Sequence, residues 1–81
     1  MRILDEDRDT TVDNVLILFT KEEAIQLISS LEDLIADETK GNHHHINNND
    51  YSKELTIALY NEKNIDDWFS ERCKRLIQYD K

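Results

Sequence analysis

Proline is missing from this 81-residue chain, and glycine and cysteine occur once each. These absences exclude several functions. One glycine, Gly41, cannot build a glycine-rich loop to cradle phosphate. One cysteine, Cys73, cannot form an internal disulfide, which fits a reducing compartment. The longest apolar run, VLILF at residues 15–19, is far too short to cross a bilayer, and no signal-peptide pattern opens the chain. The expectation is a cytoplasmic protein with no membrane partner. Basic residues are also scarce, ten Lys and Arg against eighteen Asp and Glu, for a net charge of −8. That charge repels phosphates, so no nucleic-acid partner is expected, whereas a basic protein partner would be attracted.

What is present reads as one globular domain over residues 1–81, with 38% hydrophobic residues despite the high charge. A core of this size supplies about 3–5 kcal/mol net, so a partner or second copy that buries more surface would help to stabilise it. MRILDED alternates like a short edge strand, RDTTVDN reads as a turn, and VLILF as a strand. TKEEAIQLISSLEDLIADETKG follows as a helix. Thr20 and Glu23 have capping-box spacing, and Ala24, Leu27, Ile28, Leu31, Leu34 and Ile35 recur at helical intervals. Gly41 stands where the chain must leave that helix. HHHIN and ELTIALY read as two more strands around a polar NNNDYSK loop. Asn64 can cap a last helix whose apolar stripe is Ile65, Trp68, Phe69, Cys73, Leu76 and Ile77.

The order ββαββα predicts an α+β two-layer sandwich. Its four-stranded antiparallel sheet has the order 1-2-4-3, with two helices on one face. Val15, Ile17 and Phe19 would join Leu55, Ile57 and Leu59 beneath the helices. Leu16, Leu18 and Tyr60 would lie on the opposite, open face, which marks an interface or is shielded by long side chains such as Arg2.

The three histidines stand in a strand, so His43 and His45 share a face and look toward Ala58 and Thr56, while His44 points with Ile46 toward the helices. Two histidines fall short of the three protein ligands of a catalytic zinc, so no metal or other cofactor is expected. The carboxylates lie in solvated runs, and the lone cysteine reads as a small core hydrophobe, so no catalytic residue is expected either. His43 and His45 read instead as polar strand residues available for recognition.

The segments LFTKEEAIQLISSLEDLIAD, HHHI, DYSKELTIALY and FSERCKRLIQYD together resemble small bacterial proteins of immunity or uncharacterised type. Some of these accompany polymorphic or contact-delivered toxins and block the toxin in the producing cell. The likeness covers most of the chain after residue 14 and consists of hydrophobic spacing and a histidine cluster, so no functional residue carries over individually. It implies a cytosolic, non-enzymatic protein that binds another protein.

Two functional readings follow. The first is a small acidic intracellular protein-binding protein, with an immunity protein that neutralises a basic toxin domain as the favoured instance. Asp5, Glu6, Asp7 and Asp9 would steer the partner, Leu16, Leu18 and Tyr60 would anchor it, and His43 and His45 would add polar recognition. The second is a self-associating structural or regulatory domain, a homodimer that pairs through the open sheet face.

Overall fold

Thr20 and Glu23 form the expected capping box. The Thr20 amide donates to Glu23 Oε1 at 2.9 Å, and the Glu23 amide donates to Thr20 Oγ1 at 3.2 Å. These bonds open α1 (Lys21–Ala36) in a computed structural model that describes residues 1–38, 43–62 and 64–81, with Asp67 described by its backbone alone. Gly41, expected to release the chain from this helix, lies outside the described residues.

The protein is α+β. Its strands are β1 (Leu4–Asp5), β2 (Thr10–Thr11), β3 (His43–Asn47) and β4 (Glu54–Ala58), followed by the four-residue α2 (Ile65–Trp68) and by α3 (Glu71–Tyr79). They form two separate two-stranded antiparallel sheets, β1–β2 and β3–β4, rather than one four-stranded sheet in the order 1-2-4-3. The chain divides into two units, one of residues 1–17 with 69–81 and one of residues 18–68.

The first unit holds the small hairpin and α3. Leu4 pairs with Thr11 and Asp5 with Thr10, and the Val12 amide extends the ladder to the Ile3 carbonyl at 3.0 Å. The second strand of this hairpin is therefore the threonine pair that had read as part of a turn. The reversal happens earlier than expected because Asp5 Oδ1 accepts the amides of Asp7 and Arg8, and Asp9 takes φ 55°. Short Asp side chains favour such local turns and tolerate that backbone region.

The last helix also differs from expectation. It breaks at Phe69–Ser70, and Ser70 caps α3 by accepting the Cys73 amide at 3.2 Å. Serine offers the backbone this local partner in place of a continuous helix. Leu76 is buried, and its carbonyl receives both the Asp80 amide at 2.9 Å and Arg2 Nε at 3.1 Å.

In the second unit, β3 and β4 pair in register, His43 with Ala58, His45 with Thr56 and Ile46 with Leu55. Helix α1 packs on β3. Leu34 and Ile46 are each only 4% exposed, while Ala24 and Leu27 are half-buried. Ile28, Leu31 and Ile35, expected to face inward with them, are exposed instead. The helix is apolar over a wider arc than β3 covers.

Asn64 is fully buried at 0% exposure. Its Nδ2 donates to the carbonyls of Glu38 and Leu59 at 3.1 Å each, and its Oδ1 accepts the Asn61 amide at 2.9 Å. One side chain thus ties the segment leaving α1 to the segment leaving β4. Its carbonyl accepts the Trp68 amide at 3.3 Å, as expected of a residue that opens a helix.

Val15–Phe19 is in neither sheet. Its β-branched and aromatic residues favour a strand, but that preference reflects packing on a pleated, half-buried surface more than the backbone itself. Val15, Ile17 and Phe19, expected in the core, are consequently exposed.

Candidate functional site

Alternation along β3 and β4 gathers His43, His45, Glu54 and Thr56 on one face of the hairpin and turns Ile46 to the buried side. The rings of His43 and His45 meet edge to face, their centroids 5.0 Å apart and their planes at 86°. His45 Nδ1 lies 3.0 Å from Thr56 Oγ1 and also contacts the Glu54 carboxylate. A carboxylate only accepts, so a hydrogen bond to Glu54 requires the proton on Nδ1. This is an exposed polar face, with His45 oriented by its neighbours across the hairpin. Among the described residues, no group of three or more His, Cys, Asp or Glu could hold a metal ion.

The turn beyond this face is organised by Asn48. Its Oδ1 accepts the Lys53 amide and its Nδ2 donates to Ser52 Oγ, both at 3.0 Å. Asp50 accepts the Ser52 amide at 3.0 Å, and its hydrogen bonds with Ser52 hold its carboxyl below the usual range. The sequence reads as a polar NNNDYSK loop without marking Asn48 as its organiser. An Asx bond between Asn48 and the following loop was the signal available.

The expected steering carboxylates lie in the β1–β2 turn of the other unit, and two of the four are structurally engaged. Asp5 holds the turn and lies 4.0 Å from Arg8 Nε. Asp9 Oδ1 accepts from Arg72 Nε at 2.5 Å, and that hydrogen bond, with the Arg72 charge, holds the Asp9 carboxyl below its ordinary 3.8. Glu6 and Asp7 are exposed. Nothing in the spacing of Asp9 and Arg72 announced their pairing.

Of the expected anchors, Leu16 is 81% and Leu18 82% exposed, while Tyr60, two residues past β4, is only partly so. They do not share a sheet face, since Leu16 and Leu18 are outside both sheets. Exposure of two leucines in a row of five apolar residues is nonetheless unusual for a surface without a partner. No helix of the described residues is long and apolar enough to cross a membrane. Compared with family models, curated proteins and solved structures, the chain matches none significantly.

Proposed function

We propose that this chain is a small intracellular protein-binding protein, with neutralisation of a basic bacterial toxin as the favoured instance. The observation that supports it is the run Val15–Phe19, exposed along its length and paired with no strand. Leu34, Ile46 and Leu76 are the buried apolar side chains among the described residues, so burying such a run against a partner would add substantially to a small core. The net charge of −8 favours a cationic partner, and Glu6 and Asp7 are free to speed its approach. In this reading Leu16 and Leu18 anchor the complex, and the His43–His45 face and Tyr60 add polar contacts. The protein acts by occupying its partner, without chemistry of its own.

The product of the reading frame beside this gene is the partner to test. Its expression should arrest growth, co-expression of this chain should restore it, and the Leu16→Ser/Leu18→Ser variant should fail to do so. A harmless neighbouring product, or rescue undiminished in the variant, would overturn the toxin reading. Self-association is the second reading, favoured by the outward face of α1.

A further inference from the structure

Helix α1 carries two stripes at the same spacing. Glu23, Leu27, Ser30 and Leu34, buried or half-buried, recur at intervals of four, three and four. Two positions earlier at each step stand Lys21, Ile25, Ile28 and Glu32, continued by Ile35, and all five are exposed. A two-residue offset on an α-helix is a rotation of about 200°, so the second stripe lies almost opposite the first. Alternating steps of four and three are the seam of a coiled coil, whose two rows of side chains need a second helix to fill the gaps between them.

We propose that this stripe is the contact surface of a homodimer in which α1 lies antiparallel against α1 of a second copy. This deepens the self-association reading, and its central contacts are made by residues of α1 alone. The seam is self-complementary in one orientation only. With a two-fold axis midway between Ile25 and Ile28, Ile25 of each copy meets Ile28 of the other, and Lys21 of each meets Glu32 of the other. Every contact occurs twice, as an isologous interface requires. In the parallel orientation Lys21 would face Lys21 and Glu32 would face Glu32. On the flank, Leu31 comes opposite Ala24 of the second copy, while Glu22 and Ser29 form the solvated edge.

Ile25, Ile28, Leu31 and Ile35 offer on the order of 400 Å² of apolar surface per copy, about half of the ~800 Å² that each partner gives to a standard interface. Such a dimer forms reversibly and dissociates on dilution.

Sedimentation equilibrium on the full chain, from roughly 10 µM to roughly 1 mM, reads the association directly. The mass should climb from that of the 9.6 kDa monomer toward twice that value. Ile28→Glu should remain monomeric with an unchanged circular-dichroism spectrum, since the side chain is exposed. Lys21→Glu and Glu32→Lys should each raise the dissociation constant roughly tenfold, and the double exchange should restore it. Both single changes suit the helix dipole, so a loss of association would not reflect loss of the helix. A monomer throughout the range, an Ile28→Glu variant that still associates, or a double exchange as weak as the singles would each overturn the proposal.

Discussion

Asp9 meets two demands with one side chain. Its backbone is in the left-handed region at φ 55°, which Asp and Asn tolerate, and its carboxylate accepts from Arg72. Asp9→Asn keeps the first property and loses the charge. The folded pKa lies below the ordinary 3.8, so the unfolded chain binds more protons over that interval. The pairing therefore contributes stability above pH 3.8 and loses it as pH falls through the lower folded value. Thermal melts should show Asp9→Asn below the parent at neutral pH and the two curves converging in acid, with a smaller gap in high salt. Asn64 is different in kind, because its bonds are buried. Asn64→Ala removes a donor from the Leu59 and Glu38 carbonyls, of which Glu38 keeps the Asn61 Nδ2 bond at 2.8 Å, and takes the Asn64 acceptor from the Asn61 amide. It should cost about 1–3 kcal/mol in urea unfolding. Neither role was legible in the sequence. Arg72 is 63 residues from Asp9, and Asn64 read only as a helix cap, since its bonds to Glu38 and Leu59 depend on tertiary placement.

Elements whose determinants are local were the legible ones. The capping box of α1 needs only residues three apart, and the β3–β4 register follows from alternation, which placed His43 opposite Ala58 and His45 opposite Thr56. The capping bond makes Thr20→Ala an informative change, with an expected loss of about 0.5–2 kcal/mol. Burial makes Leu34→Ala costlier, about 2–5 kcal/mol, because a cavity opens between α1 and β3. Leu31→Ala, at an exposed position, should cost distinctly less, and chemical denaturation of the three variants orders them. The hydrophobic periodicity of α1 revealed the helix but not which side of its wide apolar arc would be covered. VLILF exposes the limit most clearly: its composition is that of a strand, yet strand formation depends on a neighbour that composition does not supply. The last helix failed for the opposite reason, since Ser70 carried a local stop signal inside an otherwise periodic stretch.

For the whole molecule, the balance between what is buried and what is left in water carries the functional reading. Among the described residues few apolar side chains are buried, and in a chain of net charge −8 Leu16 and Leu18 are over 80% exposed. If those leucines are held for a partner rather than for the fold, removing them should affect stability and surface differently. Leu16→Ser/Leu18→Ser takes little out of the folded interior, so each substitution should shift the unfolding free energy by no more than about 0.5 kcal/mol. The same variant should bind markedly less of a hydrophobic dye such as anilinonaphthalene sulfonate at neutral pH, because it removes exposed apolar surface. Repeating the titration in high salt separates the dye's own anionic repulsion from its apolar affinity. A loss above about 2 kcal/mol would mean that the two side chains are packed in the folded state. Unchanged dye binding at unchanged stability would direct the search for the partner surface to the His43–His45 face.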